Sequence, residues 1–278
     1  YKRQTKILLK SFTPIEILFI RFVIGYFALL ALYPHRLKVK ERKQELYFAG
    51  AGLCGITLYF LLENIALTYT LASNVGVIIS IAPFFTAIFA HLLLAGEKMR
   101  AQFFIGFAVA VAGIFLISFN GSSQLKLNPI GDILAVLAAI VWAIYSVLTK
   151  KISGYHYHTI SVTRRIFFYG LLFMMPVLFI FKFEPDIGQI IKPVNLLNII
   201  FLGFGASAIC FVTWNYALKI LGAVKTSVYI YMVPVITVIT SVLILHETIT
   251  GTAVLGILLT LAGLFISEIK LPARHQNE

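Results

Sequence analysis

The sequence predicts an all-α polytopic membrane protein built as an inverted repeat of two five-helix halves. Three observations carry that expectation. The first is composition: of 278 residues, 60% are hydrophobic and 12% charged, against about 25% charged in soluble domains. The second is run length. Apolar stretches of about 19–23 residues recur from end to end, each long enough at about 1.5 Å per residue to cross a hydrocarbon core of about 30 Å. The third is internal repetition, described below. The polar stretches between the runs, the longest at 34–45 and 182–193, leave no room for a sizeable domain outside the bilayer.

Nine spans follow in order, at 13–33, 46–68, 73–95, 101–119, 130–149, 159–181, 195–217, 224–245 and 251–269. The first closes at Pro34 with His35 and Arg36, and the polar stretch behind them separates it from the second. Gly96, Glu97 and Lys98 end the third, and Asn120-Gly121-Ser122-Ser123 ends the fourth, turn and charge signals that belong outside a hydrocarbon core. Thr149-Lys150 closes the fifth, and the sixth begins near Thr159. Helices are expected rather than barrel strands, because the runs are apolar on all sides and twice the length of a barrel strand of about 10 residues. Tyr1-Lys2-Arg3-Gln4 is basic, but no small-residue cleavage site follows a short apolar core, so no signal peptide is read.

Laying the segment from Asn64 on the segment from Asn215 exposes the repeat. Asn64-x-Ala66-Leu67 matches Asn215-x-Ala217-Leu218 and Pro83 matches Pro234, both at an offset of 215 − 64 = 234 − 83 = 151. After a one-residue gap an offset of 150 pairs Glu97 with Glu247, Gly106 with Gly256 and Gly113 with Gly263. Earlier, an offset of 149 − 5 = 144 pairs Thr5-Lys6 with Thr149-Lys150 and Arg21 with Arg165. The halves divide as 1–123 and 124–278. Thr149-Lys150 closes a full span, yet only four residues precede Thr5. Either the intact protein carries a further helix ahead of Thr5, which makes the expected number ten, or it has nine. An odd number of helices per half inverts the halves about an axis in the membrane plane.

A net charge of +12 would point to nucleic acid in a soluble domain, but membrane proteins hold Lys and Arg in cytoplasmic loops. With the C-terminus inside, thirteen basic residues flank the inner ends, among them Arg36, Lys38, Lys40, Lys150, Lys219 and Arg274, against Lys126, Lys182 and Lys192 outside. Counting Lys2, Arg3, Lys6 and Lys10 as outside makes the ratio 13 to 7, so both counts predict a cytoplasmic C-terminus. Nucleic acid is not an expected partner; membrane lipid and a small-molecule substrate are. Cys54 and Cys210 fall within apolar spans and are expected as buried, inert thiols.

The paired Asn-x-Ala-Leu motifs, the mid-helix Pro83 and Pro234, the following Glu97 and Glu247, and the glycine-spaced closing helices resemble the EamA-type transporters of the drug/metabolite transporter superfamily. Gly131-Asp132 through Trp142-Ala143-x-Tyr145 to Lys150 is similar to the opening helix of such a half. The resemblance covers nearly the whole chain. It implies a ten-helix inverted-repeat carrier with a central cavity, moving amino acids, metabolites or drugs, often outward, in a bacterial inner membrane. No cofactor is implied.

Ionisable groups inside spans cost about 2.5–3.5 kcal/mol or more unless they face a partner or water, so each needs a reason. Glu63 reads as a proton-coupling or substrate-ammonium site, or as an interfacial residue; Arg21 reads as its ion-pair partner, a substrate-carboxylate ligand or a snorkelling residue. Glu16 reads as interfacial. Arg164 and Arg165 point about 100° apart on their helix, so one is expected inward and one toward headgroups. His91 reads as packed or interfacial rather than as a relay. By the resemblance, Trp142, Tyr145, Trp214, Asn215, Tyr229 and Tyr231 lie on cavity-lining helices, with Asn64 as the repeat mate of Asn215; their ring faces and polar tips suit amphipathic ligands. Helix packing is the competing reading for each aromatic.

Pro83 and Pro234 remove a backbone hydrogen bond within the membrane and are expected as equivalent hinges. Gly106 and Gly113, like Gly256 and Gly263, lie seven residues apart on one helix face and are expected at close helix contacts. There is no phosphate-binding Gly-x4-Gly-Lys-Ser/Thr loop, and His246-Glu247 lacks the second histidine of a zinc motif. A secondary transporter is the expected function, with protons as the coupling ion if transport is proton-driven. A membrane-embedded lipid-modifying enzyme and a channel are the alternatives.

Overall fold

The computed structural model describes residues 8–9, 11–70, 72–97, 101–118, 128–181, 183–245 and 250–268. The expectations placed on Thr5-Lys6, Lys98, the 120–123 turn, Lys126, Lys182, His246-Glu247, Lys270 and Arg274 lie outside them. Among the described residues there is no strand, and nine helices are long and apolar enough to cross a membrane. They are α1 (Pro14–Leu32), α2 (Arg42–Tyr69), α3 (Asn74–Leu93), α4 (Ala101–Ser118), α5 (Pro129–Ser153), α6 (Thr159–Ile180), α7 (Pro193–Leu221), α8 (Ala223–Thr240) and α9 (Gly251–Glu268). The chain is an integral membrane protein, and the expected spans agree with these to within about a turn. α2 begins earlier than expected because Arg42, Lys43, Gln44 and Glu45 are good helix formers that carry the helix past its apolar run.

Two helix starts are written into the sequence. Thr13-Pro14-x-Glu16 forms a capping box at α1: the Thr13 hydroxyl accepts from the Glu16 amide at 3.3 Å, and the Glu16 carboxylate accepts from the Thr13 amide at 2.7 Å. Glu16 is thereby a capping residue, 7% exposed. At α5 the Asn128 side chain accepts from Gly131, Pro129 takes the first turn, and Asp132 accepts from the Asn128 amide.

Successive helices run in opposite directions. At one end the loop 33–41 meets 154–158, where Tyr157 donates to Gln44 at 2.7 Å and Arg164 holds the carbonyls of Tyr33 and His35. The same end carries the α3–α4 connection and the α7–α8 turn, since the Glu97 carboxylate accepts from the Ala223 amide at 2.7 Å. At the other end Phe19 packs on Phe183 with ring centroids 5.2 Å apart, and Gly131 lies against Thr70. Gly222, at φ 92°, makes the sharp α7–α8 turn that only glycine adopts freely.

Glu97 is therefore the N-terminal cap of a helix in the opposite half, where a carboxylate also meets the positive end of the helix dipole. Glu97→Ala is expected to cost about 1–2 kcal/mol, read as a lower thermal midpoint of the detergent-solubilised protein. Glu97→Gln, which keeps an acceptor, should lose less.

Both long helices, α2 and α7, contain a π-helical stretch, Leu53–Leu58 in one and Leu202–Ile209 in the other. The repeat offset of 151 carries 53–58 onto 204–209, inside the second stretch, and carries Gly52 onto Gly203. Each stretch is gripped by a helix of the other half. α1 lies on the π stretch of α7, with Gly203 against Ile24 and Gly25 against the Gly203 carbonyl and Ser207. α6 lies on the π stretch of α2, with Gly170 against Ile56 and the Thr57 hydroxyl donating to the Gly170 carbonyl at 2.9 Å.

The prolines begin the second segment of broken helices. α3 has a turn at Ser80-Ile81 ahead of Pro83. α8 passes through a 3-10 turn at Tyr229–Tyr231 before the segment carrying Pro234. Sequence reading did not single out Pro176, which α6 accommodates without a break. α4 and α9 form the closest helix pair: Gly106 and Gly113 meet the backbone of Gly263, Thr260 and Gly256 so tightly that no Cβ fits.

Candidate functional site

A continuous aromatic core lies where α1, α2, α5, α6 and α7 meet. Trp142, near the middle of α5, has ring centroids 4.8 Å from Tyr59, 5.1 Å from Tyr145 and 5.5 Å from Trp214. Phe211 joins Trp142 and Tyr145 to Phe22 and Phe167. The elements are locked by small residues: a Cβ on Gly55, within the π stretch of α2, would strike the Tyr145 ring. Apolar residues surround the α5 helix at every turn, so tertiary packing rather than amphipathicity sets which face it presents here.

A chain of polar side chains leaves the core toward the 154–158 end. The Tyr145 hydroxyl donates to Asn215 Oδ1 at 2.6 Å, Asn215 Nδ2 donates to Thr163 Oγ1 at 2.9 Å, and Thr163 donates to the Thr159 carbonyl at 2.9 Å. Tyr145, Asn215 and Thr163 are 0%, 2% and 0% exposed. Asn215 also borders a small crevice, open on its outer side and lined by Thr149, Ser153, Tyr157, Thr159 and Lys219. The buried asparagine thus links core and surface. In the loop beside the crevice, burial pushes the Tyr155 hydroxyl above its usual range, Tyr47 adds to the shift and Lys151 opposes it.

At the opposite side of the core sits Arg21, buried at 5% exposure. Its Nε donates to Ser207 Oγ at 2.8 Å, within the π stretch of α7, and its guanidinium lies 5.1 Å from the ring centres of both Phe22 and Phe60. Such cation–π contacts and a hydroxyl acceptor offset part of the cost of a buried charge. Glu63 is half-buried and lies three residues beyond Phe60, on the same helix face as that ring. Arg21 and Glu63 therefore belong to one neighbourhood.

The expected site residues divide. Trp142, Tyr145, Trp214 and Asn215 come together. Tyr231 belongs to a second cluster with Phe103, Ile114, Val228 and Leu264, and Tyr229 is 43% exposed with its hydroxyl on Glu268. Asn64 is half-buried on α2. His91 is exposed beside the Glu97 carbonyl. Cys54 is half-buried and Cys210 exposed on the outside of α7, which corrects the expectation of two buried thiols.

Arg164 and Arg165 diverge, with Arg164 turned inward as expected of one of the two. Arg164, 8% exposed, clamps the two carbonyls at the end of α1. Arg165, about a third exposed, is ion-paired with Glu45, which also accepts from the Tyr169 hydroxyl at 2.7 Å. Sequence reasoning missed Glu45, Tyr59, Thr163, Ser207 and Phe211. A scan for polar residues inside apolar runs would have raised Thr163 and Ser207; nothing local marks Glu45, which sits among other charges.

Comparison with known proteins agrees with this architecture. A model described as the EamA-like transporter family matches residues 3–119 and 129–268. The chain is 27% identical over 275 residues to an Archaeoglobus fulgidus protein named "Uncharacterized transporter", covering 98% of this chain and 92% of that protein. It is 28% identical over 232 residues to a Streptantibioticus cattleyicolor protein named "Probable terminal-alkyne amino-acid exporter", covering 82% of this chain and 75% of that protein. A solved crystal structure aligns with a TM-score of 0.75 at 19% identity, covering 92% of this chain and 89% of the other. At that identity the likeness is one of fold.

Proposed function

This chain belongs to the EamA-like transporter family, and on that premise we propose that it works as a secondary active carrier, exporting small metabolites, amino acids or drugs by alternating access. The observation that carries the reading is the construction of the aromatic core from both halves. Tyr59 comes from the first half and Trp142, Tyr145, Trp214 and Asn215 from the second. A rocking motion of 1–123 against 124–278 would open this core to one side and then the other, with the helix breaks before Pro83 and Pro234 as hinges. The exporter name of one relative supports the outward direction.

In this reading the protein lies in a bacterial inner membrane with the 33–41 loop and the C-terminus in the cytoplasm, in keeping with the basic residues at that end. A solute or proton gradient drives transport, with Glu63 and Arg21 as the ionisable pair. The test is uptake and efflux of a metabolite panel in proteoliposomes, with and without a pH gradient. Trp142→Ala is expected to lower flux of the carried solute at least tenfold, and Glu63→Gln to flatten its pH dependence. If both variants keep wild-type rate, affinity and pH dependence, the site is wrong; if no solute crosses under any gradient, the carrier reading falls.

A further inference from the structure

Trp142 and Trp214 are the two tryptophans of the chain, and both lie in the aromatic core with ring centroids 5.5 Å apart. Both indole Nε1 atoms are buried from solvent and have no hydrogen-bond partner. A buried donor without an acceptor is costly, and here two of them lie in adjacent rings. The Tyr145 hydroxyl is spent on Asn215, Asn215 on Thr163, and Thr163 on the Thr159 carbonyl. The Trp142 carbonyl accepts from Ser146.

An indole N–H donates and cannot accept. Whatever satisfies the pair must bring acceptors, and a carboxylate carries two acceptor oxygens on one carbon. The Arg21 guanidinium lies against Phe22 and Phe60, and Phe22 packs on Phe211, which packs on Trp142. Tyr59, Phe211 and Tyr145 pack their rings against Trp142. We propose that the Nε1 atoms of Trp142 and Trp214 form the head-group subsite for a substrate that is an organic carboxylate with an apolar, planar body. This rests on the carrier reading and names the chemical class that its site takes.

Because both tryptophans of this chain are in the subsite, its emission excited at 295 nm reports on the subsite. The probes are 3-phenylpropionate, its neutral isostere 3-phenylpropanamide and the cation 3-phenylpropylamine, titrated into detergent-solubilised protein. The carboxylate should give a saturable emission change, the amide one at least tenfold weaker in affinity, and the amine none. Trp142→Phe and Trp214→Phe keep a ring and leave one reporter each. Either should weaken carboxylate binding about tenfold while changing amide binding less than threefold, a pattern that a packing role for the rings would not produce.

Equal or tighter binding of the amide or amine overturns the inference, as does unchanged carboxylate affinity in both variants or no saturable response to any probe. Counterflow of the same probes in proteoliposomes separates this from the carrier reading. Flux of the amine but not the carboxylate keeps a carrier and removes the subsite; binding of the carboxylate with no flux of any probe keeps the subsite and removes the carrier.

Discussion

Asn215→Leu is expected to lower the stability of the detergent-solubilised protein by about 2–3 kcal/mol, the upper range for stranding a buried hydrogen-bonding group. Asn215 Oδ1 accepts from Tyr145 and its Nδ2 donates to Thr163, all three residues being buried. Leucine has the same branched outline and number of side-chain heavy atoms and is the bulkier of the two, so no cavity opens, and the Tyr145 hydroxyl is left facing an apolar chain. Tyr145→Phe makes the complementary cut and strands Asn215 Oδ1. The double variant removes both partners, which is less harmful than removing one. Its loss should therefore fall short of the sum of the single losses by about 1 kcal/mol or more. Thermal unfolding followed by circular dichroism measures all four proteins. Strict additivity would mean that this hydrogen bond does not exist, and the polar chain from the core to the crevice would go with it.

Gly113→Leu is expected to be the more damaging change for the fold. A side chain at Gly113 meets Thr260 and the Gly256 carbonyl across the α4–α9 contact, while Gly256 in turn lies 2.7 Å, by its missing Cβ, from the Gly113 carbonyl. Backbone cannot yield as a flexible side chain does, so the two helices must separate along their length. In a bilayer this matters more than in water, because helix association there depends on close packing rather than on burial of apolar surface. A loss of about 3 kcal/mol or more, at or beyond the upper range for overpacking, should appear as a lower unfolding midpoint and as aggregation on size exclusion. Gly76→Ala is the control: it lies in α3 with nothing within 4 Å of its missing Cβ. It should change stability by less than about 1 kcal/mol, on the stabilising side, because alanine restricts the unfolded backbone. If both substitutions behave alike, the α4–α9 contact is not what holds that side of the bundle.

Much of the architecture was legible along the chain. Run length marks a spanning helix because the thickness of the hydrocarbon core is constant, and α1 through α9 appear within about a turn of the apolar runs. A constant offset marks a structural repeat because equivalent helices keep equivalent lengths, and it located the related breaks ahead of Pro83 and Pro234. The capping box at Thr13 and Glu16 is equally local, since both partners lie within one turn. In each case the determining physics acts over a few residues or over one helix length.

What only the tertiary structure decided is the rotation of each helix about its own axis and the partner it meets. Neighbouring residues point about 100° apart, and a helix apolar on all sides carries no pattern to say which face turns inward. Trp142 and Tyr231 look alike in the sequence, yet one enters the core between the halves and the other a separate cluster. The π stretches at Leu53–Leu58 and Leu202–Ile209 shift the hydrogen-bond register within runs that read as ordinary helix, at the places where the other half's α6 and α1 press on them. Glu97 capping α8, Glu45 holding Arg165 and Ser207 holding Arg21 all join residues more than a hundred positions apart. Such pairings come from the packing of one half against the other, a long-range geometry that no local pattern of hydrophobicity or propensity encodes.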